Sequence, residues 1–171
     1  MSVKNLISRC TVALVNAKGK LQALQIRMLA GEVKDGVEHL EPYGFTSHPH
    51  DGAEGVAVFP GGDRSPGVVI VVADRRYRLQ GMKAGEVALH DDQGQCVHLT
   101  REGIVVKGAG KPITITDAPK LRVECPIECT HDITDRVDGD GTSMAAMRDT
   151  YNDHDHPDPH GGNTDKPNQG M

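Results

Sequence analysis

The stretch Leu121–Ile133 reads LRVECPIECTHDI and alternates side-chain type along its whole length. Side chains alternate across a β-strand, so its odd positions, which are mainly apolar, face one side and its even polar positions the other. Thirteen residues would extend about 43 Å, whereas most strands have only about 3–10 residues. The chain holds no second segment of this length to cover the apolar edge. The stretch therefore predicts intertwining with identical chains, most simply in a closed homotrimer.

The preceding segment, residues 81–115, repeats the alternation in shorter units. Glycines divide it into units of about 8–10 residues, a spacing typical of repetitive β structure. Its apolar pairs are Val87 and Leu89, Val97 and Leu99, Ile104 and Val106, and Ile113 and Ile115. We therefore predict a repetitive β architecture that begins at Gly81.

Residues 1–80 have the pattern of a small β-barrel. Short apolar segments rich in β-branched residues are separated by turn residues, which favours an OB-fold-like barrel. The predicted strands are Cys10–Asn16, Leu21–Leu29, Val33–Leu40, Gly55–Phe59 and Val68–Ala73. The sequence Lys34-Asp35-Gly36-Val37 predicts a tight hairpin turn, and a short helix is expected around Leu6 and Ile7.

Composition agrees with a thin molecule. The chain has three Tyr, two Phe and no Trp, yet 37% of its residues are hydrophobic. Its core must therefore consist of small and β-branched side chains, which fit around a threefold axis. We expect no membrane span, because no apolar run approaches about 18 residues. The first five residues lack the apolar stretch of a secretory signal, and the four Cys are too sparse for a disulfide framework. Synthesis in the cytoplasm and free, mostly packed thiols are expected.

Charge is distributed unevenly. Residues 131–171 contain nine of the 24 acidic residues and three of the 19 basic residues. Phosphate contacts need Lys and Arg, so nucleic acid is not an expected partner of this end. The basic cluster Arg75–Arg78 is interpreted as a solvated strand end, since an OB-type nucleic-acid surface would need more aromatic residues.

Two His-x-His pairs are candidate metal ligands. A spacing of two residues puts both imidazoles on one side of an extended segment. For His154 and His156, three chains would supply six nitrogens, an octahedral set that Fe²⁺ accepts and tetrahedral Zn²⁺ does not. With every position filled, such a site is structural. The alternative is a disordered acidic tail over residues 152–171. His48 and His50 are interpreted as exposed loop residues.

Two further sets of residues are candidate sites. Cys125, Cys129 and His131 resemble a zinc cluster, but a fourth ligand is not evident, so core packing is favoured. A mononuclear non-haem iron enzyme would use two His and one carboxylate, which His154, His156 and Asp158 could supply. The chain shows no Gly-rich phosphate loop and no Ser-His-Asp arrangement, so we expect no enzyme. An OB-fold binding module is the other alternative.

Three motifs in order resemble the phage baseplate assembly protein V family of tail spikes. The barrel motif combines Tyr43–Ser47, Pro49, Gly52–Glu54 and Phe59–Ser65, and the shaft motif combines Gly85–Leu89, Asp91–Gly94, Val97–Thr100 and Gly103–Ile104. The tip motif combines Thr150–Asn152 with His154–Gly162.

The resemblance implies an all-β homotrimer in the virion, at the phage tail baseplate. In that family an OB-fold domain (residues 1–80) attaches to the baseplate hub, and an intertwined triple-stranded β-helix (81–150) follows. A metal-bound apex (151–171) pierces the host outer membrane during tail contraction. The resemblance also implies one iron per trimer on His154 and His156, with calcium and chloride near the apex. Asp155 departs from the pattern, where a neutral residue such as Thr is expected.

Overall fold

The structure is a computed structural model that describes residues 6–62 and 67–171. Residues 1–5 and the barrel-motif residues Asp63, Arg64 and Ser65 lie outside the described part. The chain divides into two compact units, which meet in sequence between Thr114 and Ile115. The first unit contains a barrel and a three-stranded sheet, and the second contains one helix.

Five strands close into a barrel in the order β1-β2-β3-β5-β4. All neighbouring pairs are antiparallel except β3 and β5, which are parallel. The strands are β1 (Ile7–Asn16), β2 (Gln22–Arg27), β3 (Val33–His39), β4 (Glu54–Val58) and β5 (Val68–Ala73). The sequence-based prediction of five strands in an OB-fold-like barrel is confirmed.

The barrel core is made mainly of aliphatic side chains around one phenylalanine. Its largest fully buried side chains are Phe59, Leu24, Ile26, Val12 and Val69. β-Branched and aliphatic residues fit a pleated surface that is buried on one side. The core therefore matches the composition of the chain, which offers few aromatic residues.

Two local predictions in the barrel are wrong. Ile7 begins β1 instead of belonging to a helix. Lys34–Val37 lies inside β3 and forms no hairpin turn. Gly36 does adopt a positive φ of 67°, and the β2–β3 register shifts opposite it, between Leu24 and Ile26. The glycine therefore marks a β-bulge, which uses the same backbone freedom as a turn.

Three short strands follow the barrel as an antiparallel sheet in the order β6-β7-β8. They are β6 (Val87–His90), β7 (Cys96–Leu99) and β8 (Ile104–Lys107). These strands confirm the alternation predicted for the beginning of the shaft. Residues 113–115 carry the same apolar pattern but form no strand.

The structure is mostly β, as expected, but its second unit contains a helix that the sequence pattern did not predict. Residues Met144–Asp153 form a helix, α1, inside the region predicted as shaft and tip. Ala, Met and Arg are good helix formers, and the Ser143 side chain accepts a hydrogen bond from the Ala146 N–H at 3.2 Å. In the described part of the chain, no helix is long and apolar enough to cross a bilayer.

The decisive stretch Leu121–Ile133 is not a strand in the single chain. Its residues are exposed, and it has no strand partner within the described residues. A strand is defined by hydrogen bonds to a neighbour, so an isolated chain cannot display one here. The predicted long strand, the β-helix and the trimer stay predictions.

Candidate metal centre

His154 and His156 lie directly after α1, which ends at Asp153. His154 has φ −73° and ψ 148°, so the chain becomes extended there. The centroids of the two imidazole rings are 5.1 Å apart, and the ring planes are nearly perpendicular at 86°. The structure therefore brings together the two side chains that the sequence predicted as ligands.

The helix end orients the first of these imidazoles. His154 Nδ1 lies 2.5 Å from the backbone oxygen of Tyr151, and the centroids of the Tyr151 and His154 rings are 5.4 Å apart. A carbonyl oxygen only accepts hydrogen bonds, so Nδ1 carries the proton in this contact. Nε2 is then the nitrogen left to bind a metal, and a contact to the other nitrogen is typical of metal-binding histidines.

A small hairpin holds the second imidazole. The backbone N–H of His156 donates to Thr164 Oγ1 at 3.0 Å, and the N–H of Thr164 donates to the His156 oxygen at 2.8 Å. The N–H of Asp158 donates to the Gly162 oxygen at 3.0 Å. These bonds fold residues 156–164 back on themselves, so the segment has local structure in a single chain.

The carboxylates beside the pair have other partners. Both oxygens of Asp155 accept from Asn163 Nδ2 at 3.1 Å. Asp158 Oδ1 accepts from the backbone N–H of His160 at 2.8 Å and lies 3.2 Å from its Nδ1. Within residues 6–62 and 67–171, no three His, Cys, Asp or Glu side chains form a group that could hold a metal. One chain therefore offers the two imidazoles without a third ligand.

An ion pair connects the C-terminal segment to the end of α1. The Lys166 ammonium binds the Asp153 carboxylate. This hydrogen bond lowers the pKa of Asp153 and raises the pKa of Lys166. The backbone N–H of Met171 also donates to Asn152 Oδ1 at 2.8 Å. The residues after the histidines are thus attached to the helix that precedes them.

The other candidate histidines, His48 and His50, are exposed and line one cavity of about 830 Å³ in the first unit. His50 Nε2 lies 3.1 Å from Asp92 Oδ2, and its ring is 5.0 Å from that of Tyr77. These two histidines belong to no group of three possible metal ligands within the described residues. Cys125 and Cys129 are free, as expected, and exposed in the single chain, so their packing against other chains stays a prediction.

Arginines of the basic cluster Arg75–Arg78 are engaged by acidic residues. Arg75 Nη2 lies 2.5 Å from Glu54 Oε2, and Arg76 binds the Asp74 carboxylate through two nitrogens at 2.6 and 2.8 Å. The hydrogen bond from Arg76 lowers the pKa of Asp74. An arginine that is already paired with a carboxylate contributes less to the binding of phosphate groups.

The sheet β6-β7-β8 presents one apolar face to solvent. The register places Val87 opposite Leu99, Leu89 opposite Val97, Val97 opposite Val106, and Leu99 opposite Ile104. All six side chains are between 38% and 72% exposed. Contiguous exposed apolar faces are a common feature of protein interaction sites.

A buried carboxylate joins two turns at one end of this sheet. The Glu86 side chain is only 5% exposed and accepts from the backbone N–H groups of Lys83 at 2.9 Å and Arg101 at 3.2 Å. His98 Nε2 lies 3.3 Å from Glu86 Oε2, close enough for an ion pair although not aligned for a hydrogen bond. The Lys83 N–H makes the largest contribution to lowering the pKa of Glu86.

These features define a β-rich protein with an OB-fold-like barrel, an apolar sheet face and a histidine pair at the end of a helix. Residues 9–76 match the family model described as Bacteriophage Mu Gp45, N-terminal. The chain is 36% identical over 101 residues to the baseplate puncturing device gp45 of Escherichia phage Mu. It is 38% identical over 112 residues to the Mu-like prophage FluMu protein gp45 of Haemophilus influenzae.

The two matches cover 59% and 66% of this chain, and 51% and 61% of the respective relatives. The chain thus spans between about half and three fifths of the length of these proteins. The matches confirm the resemblance to the phage baseplate spike family.

Sequence reasoning missed the residues that support the histidine pair. Tyr151 orients His154 through its backbone oxygen, and Asn163 and Thr164 hold the hairpin. The run of helix-forming residues after Ser143 could have indicated the helix Met144–Asp153. The end of that helix determines where the chain becomes extended at His154. The role of Asn163 depends on a turn whose partners are eight residues apart, which no local pattern reveals.

Proposed function

We propose that this chain forms a homotrimeric spike at the centre of a phage tail baseplate in the virion. In this proposal the spike pierces the host outer membrane when the tail contracts, and it works through shape and stiffness without catalysis. The printed name of the phage Mu relative, a baseplate puncturing device, supports this role. The barrel would attach to the baseplate hub, and nucleic acid would not be a partner.

The main support for a trimer is the solvent-exposed apolar surface of the single chain. Six apolar side chains share one face of the sheet β6-β7-β8 and are 38–72% exposed in the described part of the chain. In the second unit further apolar side chains of the alternating stretch are exposed: Leu121, Val123, Ile127 and Ile133. Fully burying an exposed apolar side chain contributes about 1.5–3 kcal/mol. These side chains are already partly covered, so each would contribute a fraction of that, and covering both sets with copies of the chain would stabilise a trimer. An intertwined triple-stranded β-helix would do this over residues 81–150.

The histidine pair fits a structural metal at the tip. One chain brings two imidazoles within 5.1 Å of each other and leaves Nε2 of His154 available. Three chains would place six such nitrogens around one axis, which suits an octahedral ion such as Fe²⁺. When bound, the ion would supply a fixed crosslink among three chain ends. Calcium and chloride near the apex follow only from the resemblance, and we assign them no ligands.

The mononuclear iron enzyme is less well supported. It needs a carboxylate beside His154 and His156, but Asp158 contacts His160 and Asp155 contacts Asn163. Full coordination by histidine would also leave no position for a substrate.

The test is the molar mass of the protein in solution combined with its metal content per chain. Sedimentation equilibrium should give three times the 18.4 kDa chain mass, and elemental analysis should give about one iron per three chains. A monomer that binds one iron per chain would refute the spike and support the enzyme. A trimer without metal would retain the spike and refute the metal tip.

A further inference from the structure

Two arginines of the first unit share one carboxylate. β4 lies between β1 and β5, and its first residue, Glu54, is paired with Thr11 on one side and Ala73 on the other. Arg9 of β1 and Arg75, which follows β5, both reach Glu54 Oε2, with their Nη2 atoms at 3.3 Å and 2.5 Å. Because one carboxylate neutralises one guanidinium, this group of three side chains keeps one positive charge.

Arg78 adds a second positive charge. Its Nη1 donates to the backbone oxygen of Leu79 at 3.3 Å, and no carboxylate within residues 6–62 and 67–171 forms an ion pair with it. Arg9, Arg75 and Arg78 line the same cavity of about 830 Å³, and all three are exposed, so a solute can reach them. Three arginines thus stand against the single carboxylate of Glu54.

The other carboxylates of this cavity have partners of their own. Asp74 is bound by Arg76 through two nitrogens at 2.6 and 2.8 Å, and Asp92 Oδ2 lies 3.1 Å from His50 Nε2. Asp91 accepts hydrogen bonds from two backbone N–H groups of its own turn at 2.8 and 2.9 Å. These contacts leave the excess of two positive charges at the three arginines.

The same cavity has an apolar wall, formed by Pro49, Ala53 and Val72. Pro49 and Ala53 are buried, so this wall belongs to the packed part of the barrel unit. Small-molecule sites have volumes of about 300–1,000 Å³ and combine apolar walls with a few convergent polar groups. A ligand with an anionic group and an apolar part would match both features.

The charge excess distinguishes between the two common oxyanions. A guanidinium presents its donors in a planar fork that suits the oxygens of either a carboxylate or a phosphate. A carboxylate brings one negative charge, whereas a phosphate monoester brings about 1.5–2 at neutral pH. We propose that Arg9, Arg75 and Arg78 bind the phosphate group of a small phosphate monoester, whose organic part lies against the apolar wall. The site lies in the first unit and requires neither the trimer nor the metal of the proposed function.

A nucleic acid is a poorer ligand for this site. A strand repeats its phosphates along its length, and proteins bind it with a row of cations and with aromatic platforms for the bases. Among the described residues that line the cavity, Tyr77 is the single Tyr, Phe or Trp. The arrangement therefore suits one isolated phosphate group.

The test is isothermal titration calorimetry of the full-length protein with phenyl phosphate at about pH 8, where this monoester is a dianion, in buffer without phosphate or sulfate. We expect saturable binding, with an affinity at least about tenfold lower for Arg75→Gln and for Arg78→Gln. The matched control is Arg27→Gln, because Arg27 is an exposed arginine of β2 that does not line the cavity. This variant removes the same charge from the barrel and should bind phenyl phosphate normally.

Two other anions test the chemistry of the ligand. Benzoate has the ring with one negative charge, and inorganic phosphate has the charge without the ring, so both should bind more weakly than phenyl phosphate. Equal binding of benzoate would overturn the assignment to a phosphate group, and equal binding of inorganic phosphate would overturn the assignment to a monoester. The site itself would be refuted by the absence of saturable binding of phenyl phosphate, or by an equal affinity of the Arg75→Gln, Arg78→Gln and Arg27→Gln variants.

Discussion

Glu86 is an enclosed carboxylate whose charge stabilises the three-stranded sheet. Hydrogen bonds from backbone N–H groups, that of Lys83 first, lower its pKa below the ordinary value of 4.5. A lowered folded pKa means that the group stabilises the protein above pH 4.5 and loses this effect as the pH falls through the folded pKa. We expect the Tm of the wild type to fall more steeply below pH 4.5 than that of Glu86→Gln, measured by circular dichroism.

The control for this prediction is Glu102→Gln. The Glu102 side chain is 69% exposed, and its Oε1 lies 2.6 Å from Lys83 Nζ. The variant therefore removes a nearby carboxylate that is exposed to solvent. Its Tm should follow the wild-type dependence on pH. A Glu86→Gln variant with the same acid sensitivity as the wild type would show that the buried charge is not responsible.

The histidine pair makes a second prediction at the level of single residues. Replacing His154 or His156 by Ala removes three of the six proposed nitrogens from a trimer, so iron content should fall to near zero after dialysis. His160→Ala is the matched control, because His160 lies in the same segment and contacts Asp158. Elemental analysis should show normal iron in this control. Equal losses in all three variants would indicate a general disturbance of the tip.

The apolar face of the sheet β6-β7-β8 gives a prediction about a whole element. Val106 lies on this face, and Lys107 lies on the opposite face of the same strand. Val106→Gln would bury an amide without partners in the proposed trimer, at a cost of about 1–3 kcal/mol per chain. We expect it to shift the protein towards monomers in sedimentation experiments, whereas Lys107→Gln should not. A Val106→Gln variant that remains trimeric at low micromolar concentration would contradict this role.

The N-terminus of α1 permits a test of the helix that sequence reasoning missed. Ser143 accepts from the Ala146 N–H and so caps the helix. Ser143→Ala should destabilise the helix by about 1 kcal/mol, whereas Ser143→Thr, which keeps the hydroxyl and its contact with Asp132, should preserve the cap. Amide exchange at Ala146 should be faster in the Ala variant and unchanged in the Thr variant. No change in the Ala variant would mean that contacts beyond the cap hold the helix.

Turn residues between short apolar segments made the barrel strands predictable. All five strands of the structure lie within a few positions of their predicted bounds. Gly36 was misread because positive φ serves both turns and bulges, and only the pairing with β2 distinguishes them. The helix Met144–Asp153 escaped because its apolar residues are few and none of it is buried. Only the helix propensity of its residues indicated this helix.

At the scale of the whole molecule, the sequence indicated that a single chain leaves apolar surfaces without a partner. The exposed stretch Leu121–Ile133 and the apolar sheet face are features that a single chain cannot satisfy. Their pattern predicts partners, but no local rule gives the number of chains or the path they take around each other. The histidine pair was predictable because a spacing of two residues places both imidazoles on the same side of an extended segment. The contacts of Tyr151 with His154 and of Asn163 with Asp155 depend on how the chain turns, which the sequence does not reveal.

We expect the tip and the barrel to be stabilised independently of each other. If the ion crosslinks three chain ends, removing it with a chelator should loosen the hairpin of residues 156–164, because metal binding is coupled to local folding. Amide exchange of His156 and Thr164, whose N–H groups bond across this hairpin, should then accelerate. The N–H of Phe59, which donates to the Leu6 oxygen in the barrel, should exchange as before.

The reciprocal variant is Phe59→Ala. Phe59 is fully buried, so its truncation should destabilise the barrel by about 3–5 kcal/mol in denaturant titrations. Iron content and the exchange of Thr164 should stay at wild-type values, because the cavity lies in the first unit and the histidine pair in the second. Full protection of the tip hairpin in metal-free protein would contradict the structural role of the ion. Loss of iron in Phe59→Ala would instead show that a folded barrel is required to assemble the tip.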